Sequence, residues 1–326
     1  FTSKITGWIP AGDFLLGESL RKGTEWDILI SREEVRRMLE RHPNSVLLLG
    51  VVGISISAIL VRYSQAPSVI TAVYRLGWTV LLLLPAVLTK FRQEVKQVRG
   101  KDVLLCTLSG ICLALHFLTW FESLKWTGVA VSTVLVSTEV IFTALGFALF
   151  LKGKIPPLGV AAILLAFGGS VLLALAGGGT GSAWYGNLLA LAAAFFVALY
   201  TLIGRVQRGY LSTTVYTFLT YLACFLTLLL MAVASGTPLV GYGGREWLIG
   251  LGLAVLCTLR GHSLFSWCLK FLSPAYVSAA KLCEPVFSGA LAVPLFGEIP
   301  TPMQLLGAAV ILGAVLLYTW AEGRQS

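Results

Sequence analysis

The sequence predicts an all-α integral membrane protein of ten transmembrane helices, arranged as two inverted five-helix repeats. Three observations lead there. Apolar residues fill 57% of the 326 positions and charged residues only 12%, about half the ~25% charge of a soluble domain. The remaining charges are clustered, leaving uncharged stretches that match the roughly 20 apolar residues a helix needs to cross the hydrocarbon core. The second half of the chain also repeats residues of the first at a nearly constant offset. No stretch alternates polar and apolar residues as the strands of an outer-membrane barrel do. Helices are the remaining way to satisfy the backbone in lipid.

Residues 1–44 differ from everything after them and form an N-terminal extension, predicted to be cytoplasmic. Ser31-Arg32-Glu33-Glu34 has the form of a capping box, and Val35, Met38 and Leu39 would line one face of a short helix. One reading is an amphipathic helix lying on the inner membrane surface. The other is that translation begins at Met38. The chain opens on Phe1, and Glu33-Glu34-Val35 can be encoded GAG-GAG-GTG, a purine-rich ribosome-binding sequence just upstream of that residue. Residues 1–37 lack the apolar core and small-residue cleavage site of a signal peptide.

The first repeat (45–176) holds spans at 45–63, 67–89, 102–124, 128–151 and 156–176. The second (183–322) holds spans at 183–204, 213–235, 247–269, 274–296 and 302–321. Connections are short and carry breakers: Gly177-Gly178-Gly179, Pro238, Ser273-Pro274 and Pro300-Thr301-Pro302. All six cysteines fall inside apolar segments without C-x-x-C spacing, so they read as small hydrophobes of helix interfaces.

Orientation follows from Lys and Arg. With a cytoplasmic N-terminus, the inside segments hold Lys4, Arg21, Lys22, Arg32, Arg36, Arg37, Arg41, Lys90, Arg92, Lys96, Arg99, Lys101, Lys152, Lys154, Arg205, Arg208, Lys270 and Arg324. The outside holds Arg62, Lys125 and Arg245, and Arg75, Arg260 and Lys281 lie within spans. This bias of 18 to 3 predicts both termini cytoplasmic; without residues 1–37 it is still 12 to 3. It also accounts for the net charge of +9, which in a soluble chain would point to nucleic acid. No nucleic-acid partner is expected.

The repeat fixes the relation of the halves. Leu124-Lys125 matches Leu269-Lys270, Ala130 matches Ala275, Glu139 matches Glu284 and Phe142 matches Phe287, all 145 residues apart. Ile155-Pro156 then matches Ile299-Pro300, and Gly169 matches Gly313, 144 apart. Five is an odd number of spans, so the second copy sits upside down relative to the first. Inverted repeats of this kind mark secondary transporters, with the solute site near the midplane between the halves.

At this point the residues resemble a known family. Trp184-Tyr185-Gly186-Asn187-Leu188-Leu189-Ala190 through Ala198-Leu199-Tyr200 is similar to the start of the second half in EamA-type permeases of the drug/metabolite transporter superfamily. So are Gly261-His262-Ser263-Leu264-Phe265, Leu269-Lys270-Phe271-Leu272-Ser273-Pro274, and Glu284-Pro285-Val286-Phe287 with Gly297-Glu298. Tyr74-Arg75-Leu76 resembles the family's second helix, and the likeness covers about 40–322. It implies ten helices in two inverted repeats and transport by alternating access. Two departures stand out: Val140 follows Glu139 where the family often has Pro, and Lys154 stands where the second half has Glu298.

Candidate site residues follow from the cost of burying charge, at least ~2.5–3.5 kcal/mol for a charged side chain at mid-membrane. Glu139 and Glu284 lie near the middle of the fourth and ninth spans as repeat mates, placed to bind solute or to couple protons. Lys281, three residues before Glu284, reads either as its ion-pair partner within the helix or as a holder of an anionic group of the solute. Arg260 and His262 point to nearly opposite sides of one helix. The Arg260 face, with Trp267, is the one predicted to line the cavity. His116 and Trp120 in the third span, and Tyr74, Arg75 and Trp78 in the second, belong to polar-aromatic stripes suited to a solute cavity. Glu122 and Lys125 read as a surface pair.

No H-E-x-x-H, G-x-x-x-x-G-K-[ST] or G-x-S-x-G occurs. Three histidines, none paired at ligand spacing, argue against a metal site, and no cofactor is expected. The expected partners are a small-molecule solute, the lipid bilayer and protons as the candidate coupling ion. The predicted location is a bacterial inner membrane, crossed many times. The reading is a secondary transporter, not an enzyme, with export of an amino-acid-like metabolite or a drug fitting the family. Uptake or proton exchange is compatible with the same residues. The competing readings are an intramembrane enzyme using Glu139, Glu284 or His116, and a non-transporting scaffold, which would tolerate Glu284→Gln.

Overall fold

A computed structural model describes residues 43–152, 157–176, 181–272, 274–281 and 283–323. The two readings of the N-terminal extension, and Lys154, lie outside the described residues.

The described chain is helical throughout: α1 (Pro43–Ser55), α2 (Ser57–Tyr63), α3 (Ser68–Thr89), α4 (Arg92–Lys96), α5 (Gly100–Trp126), α6 (Val129–Ser137), α7 (Glu139–Phe150), α8 (Pro157–Ala176), α9 (Gly181–Gln207) and α10 (Thr213–Ala234). Then follow α11 (Gly244–Gly252), a π-helical segment (Leu253–His262), α12 (Ser263–Cys268), α13 (Pro274–Ala280), α14 (Cys283–Phe296) and α15 (Pro302–Gly323). Seven stretches are long and apolar enough to cross a membrane: Pro43–Tyr63, Ser68–Thr89, Gly100–Trp126, Val129–Phe150, Ala183–Gln207, Thr213–Ala234 and Gly244–Cys268. Shorter apolar helical stretches run over Pro157–Ala166, Phe287–Phe296 and Pro302–Tyr318. The chain is therefore a multi-pass membrane protein. The three remaining predicted spans correspond to helices with these shorter apolar stretches.

Sequence sets the helix ends. Pro157, Pro274 and Pro302 open their helices, where the missing N–H is not needed. Ser212 caps α10, its hydroxyl accepting from the Val215 amide at 3.3 Å. Gly236 (φ 66°) and Gly297 (φ 69°) follow the ends of α10 and α14 in the left-handed conformation that glycine adopts without strain. Leu149 (76% exposed) and Leu230 (69%) face outward, as side chains solvated by lipid do.

Two helices break in the middle of the bundle. The fourth predicted span stops at Ser137 and restarts at Glu139 after one turn residue, Thr138, whose Oγ1 donates to Leu135 O at 2.6 Å. The ninth stops at Ala280 and restarts at Cys283. Here the cause is legible: Pro285 has no N–H, and its ring would collide with the carbonyl of Lys281 four residues back. That carbonyl instead accepts from the Glu284 amide at 2.8 Å. The broken segments pack piece against piece, α6 on α14 and α7 on α13, so the two breaks face each other. Glu139 opens α7 and Glu284 lies in the first turn of α14. Both carboxylates therefore sit at the positive end of a half-helix. In transporters, discontinuous helices of this kind build the solute site.

Small residues let other helices close around the breaks. A Cβ on Gly53 would lie 2.7 Å from Leu256 O, and one on Gly261 would lie 2.5 Å from Ile54 Cγ2, so α1 and the π segment touch. A Cβ on Gly110 would lie 2.5 Å from Thr220 O, the contact of α5 with α10. The last helices of the two repeats, α8 and α15, also pack together.

Candidate functional site

A central cavity of about 30 Å³ lies at the helix breaks, room for only one or two waters. Its walls come from α1 and α2 (Ile54, Ser57), α5 (His116, Trp120), α6 and α7 (Val136, Glu139), and α9 (Val197). The π segment and α12 supply His262 and Phe265, and the ninth span supplies Lys281 and Glu284. Matching predicted spans from the two repeats thus contribute in pairs: first and sixth, third and eighth, fourth and ninth.

The polar groups are held in defined ways. Lys281 Nζ meets Glu139 Oε1 at 2.8 Å, with side chains 11% and 4% exposed, and lies 5.2 Å from the Phe265 ring centroid. His116 Nδ1 donates to the Ala193 carbonyl at 3.0 Å, and its ring stacks on Trp120 at 5.8 Å. His262 lies 6.4 Å from His116, ring to ring. Two buried donors in the walls, Trp120 Nε1 and His262 Nδ1, have no hydrogen-bond partner among the described residues. No Lys or Arg among them comes within ion-pair distance of Glu284. One compact site therefore combines a neutralised ion pair, a carboxylate without a counterion and unused donors. Such a site can recognise a solute bearing both donors and acceptors.

Five of the residues singled out from sequence meet here: Glu139, Glu284, Lys281, His116 and Trp120. The others go elsewhere. Arg75 is fully buried beside the cavity, donating from Nε to Thr258 Oγ1 (2.7 Å) and from Nη1 to the wall residue Ser57 (3.1 Å). Its guanidinium lies over Phe117, 4.2 Å from the ring centroid, with Phe121 at 5.9 Å. Tyr74 and Trp78 line a separate apolar groove with Trp247; Tyr74 stacks on Trp247 at 4.2 Å and donates its hydroxyl to Leu239 O. They are off the central cavity because α3 turns that face toward α11.

Arg260 and Trp267 are corrections. Arg260 is exposed and His262 lines the cavity instead, while Trp267 is half-buried against Phe271 (4.6 Å). The expectation rested on Arg260 being the costlier charge to bury, which favoured its face for the cavity. Leu253–His262 is a π helix, bonded i to i+5, and turns less per residue. Arg260 and His262 do point to opposite sides, and the His262 side faces the cavity, which keeps the guanidinium out of it. Of the two readings of Lys281, the ion pair along its own helix is corrected. Lys281 pairs with Glu139 across the helices, not with Glu284 along its own, because the break removes the spacing that would stack residues 281 and 284.

Sequence reasoning missed two arginine latches at opposite ends of the bundle. Arg62, at the end of α2, donates from Nη1 to the Leu124 carbonyl and holds Glu298 from Nη2 at 3.2 Å. Glu298 in turn accepts from the Val129 amide, at the start of α6, at 2.6 Å. At the other end Arg205 donates from Nη1 to the Leu269 carbonyl at 2.5 Å. Leu124 and Leu269 are repeat mates, and Arg62 and Arg205 stand 143 residues apart. That offset was the available signal. Glu122 and Lys125 do form a pair, at 3.1 Å.

The chain is similar to known proteins. The model of the EamA-like transporter family matches twice, at residues 43–175 and 184–320, once in each repeat. An uncharacterised transporter of Archaeoglobus fulgidus is 36% identical over 77 residues, 24% of this chain and 28% of that protein's length. One from Bacillus subtilis is 24% identical over 67% of this chain and 70% of its own. A protein of Streptantibioticus cattleyicolor, named "Probable terminal-alkyne amino-acid exporter", is 27% identical over 71% of this chain and 78% of its own. A solved crystal structure, 20% identical, superposes with a TM-score of 0.60 over 88% of this chain and 99% of that one, a likeness of fold. With a match in each half, this chain belongs to the EamA-like transporter family.

Proposed function

We propose that this chain is a ten-helix secondary transporter, built from repeats 45–176 and 183–322, that exports a small amino-acid-like solute through the central cavity. The observation that carries the reading is the set of ionisable and unpaired polar groups gathered at the two helix breaks. Glu284 takes the ammonium of the solute or a coupling proton. Trp120, His262 and Lys281 supply donors for its acceptor end. The name of the Streptantibioticus cattleyicolor relative supports an amino-acid-like solute and outward transport. The relatives' names support transport over the enzymatic and scaffold alternatives.

The cavity is too small for such a solute as it stands, so binding requires the halves to part. The latches at opposite ends supply the points of release: Arg62 on the predicted outer side, Arg205 on the inner. Opening one while the other holds exposes the centre to one side at a time. The charge count supports cytoplasmic termini in a bacterial inner membrane.

The test is ligand-induced thermal stabilisation of purified protein, followed by flux in proteoliposomes. The panel holds neutral amino acids with and without a terminal alkyne, nucleobases and cationic drugs. An amino acid should raise the melting temperature by mass action, and Glu284→Gln should weaken its binding by about tenfold or more. An amino acid that binds Glu284→Gln and Lys281→Met as tightly as wild type would remove the solute from this cavity. A purely cationic ligand would replace the amino-acid assignment.

A further inference from the structure

A second cavity, of about 300 Å³, opens at the predicted outer ends of the first three spans. It is ten times the central one and reaches the size of small-molecule sites, about 300 Å³ and upward. We propose that it is a binding site for a small organic carboxylate, held between Lys125 and Arg62 with its apolar part against Phe121 and Leu124.

Among the described residues lining it, only Arg62 and Lys125 carry charge, and both are cations. Three carboxylates border the site, Glu298 on Arg62, Glu122 on Lys125 and Ser68, and Glu246 on Ser64, yet none of them is among the residues lining the cavity. The charged groups presented directly to a ligand are the two cations. Donors remain to use. One ammonium contact of Lys125 goes to Glu122, and Arg62 engages Nη1 and Nη2, not Nε. The hydroxyls of Ser64 and Ser68, also in the walls, donate to Glu246 (2.5 Å) and Glu122 (2.7 Å). Thr71 Oγ1, the third wall hydroxyl, is bonded to Ser64 Oγ at 2.8 Å, so the hydroxyls are committed and the two cations hold the anion. Phe121 and Leu124 give the remaining wall an apolar surface for a hydrocarbon or ring.

The site is distinct from the centre. Phe121 forms part of its floor, and beyond Phe121 lies the buried Arg75, bonded to Ser57 of the central wall. A carboxylate here sits one layer outside the central cavity, at the last stop before the predicted outer water. Lys125 is 45% exposed, so the attraction is partly screened and the affinity is modest.

The test is calorimetric titration of the detergent-purified full chain with 3-phenylpropionate and its neutral isostere 3-phenylpropanamide. Wild type should bind the carboxylate at least about tenfold more tightly than the amide. Lys125→Gln should weaken the carboxylate about tenfold, while Lys125→Arg stays within about threefold. Glu284→Gln should leave it unchanged, because that carboxyl lines the other cavity. Equal affinity for acid and amide on wild type would overturn the proposal without any variant. So would carboxylate binding indifferent to Lys125→Gln, carboxylate binding lost in Glu284→Gln, or no carboxylate binding at all. Failure of the central reading, an amino acid indifferent to Glu284→Gln, leaves this outcome independent.

Discussion

Replacing Lys281 by Met keeps the length of the side chain and deletes its charge, leaving the Glu139 carboxylate in the bundle without its partner. At 2.8 Å and an effective dielectric constant of about 20, the Coulomb attraction being removed is about 6 kcal/mol. Desolvation offsets part of that, and breaking a buried pair from one side costs about 3–5 kcal/mol. Taking about 2 °C per kcal/mol, the low end for a chain of this size, the melting temperature should fall by about 6–10 °C. Glu139→Gln alone strands the ammonium and should cost a similar amount. The double variant Glu139→Gln/Lys281→Met strands neither charge, so it should recover most of the loss. The assay is the thermal unfolding of the four purified proteins in one detergent, read as a double-mutant cycle. A coupling energy of about 2 kcal/mol or more is expected. Additive single losses, within about 0.5 kcal/mol, would refute the pair as a stabilising contact.

The latches predict opposite accessibility. In a Ser57→Cys background, Arg62→Ala should speed labelling of the cavity wall by a membrane-impermeant maleimide added outside, and Arg205→Ala should not. Discounted for the 32% exposure of its side chain, the Arg62 contact is worth about 1 kcal/mol, a several-fold rise in rate. Gly110→Leu drives a side chain into the Thr220 carbonyl and Ala223 and should destabilise the protein by about 1–3 kcal/mol in thermal unfolding. Gly168→Ala, which meets nothing within 4 Å, should not destabilise it. In the ligand-binding assay, Arg260→Gln and Trp78→Ala should leave affinity unchanged and Trp120→Ala should weaken it. Weakening by Arg260→Gln would mean the π segment turns otherwise in the bound state.

Much of the architecture could be read from hydropathy, because membrane helices must be long, apolar and uncharged. The predicted 102–124 and 213–235 lie within two residues, at every end, of Gly100–Trp126 and Thr213–Ala234. The glutamate pair was legible because burying a charge leaves a conspicuous mark in an apolar sequence, and the repeat tied the two together. Reach and register were not. The Pro285 break sends Lys281 to Glu139, and only the three-dimensional packing of α7 on α13 shows where that carboxylate waits. Tyr74 and Trp78 share the face expected from their spacing, but that face looks onto an apolar groove. A stripe defines a direction on a helix without saying which neighbour stands there.

The π segment also changes how this chain should be compared with others. The two repeats lie 143 residues apart at Arg62 and Arg205 but 145 apart at Leu124 and Leu269, so the second copy is two residues longer in between. A wide turn inside a membrane helix is one place to store such an insertion, because adding a residue to a helix otherwise rotates everything beyond it. An alignment that allows gaps only in loops would set Arg260 and His262 against the wrong neighbours wherever a relative has a regular α-helix in this span. A gap allowed within 253–262 would follow the wide turn, and a relative with a regular α-helix there should present its inward side chain at a shifted position.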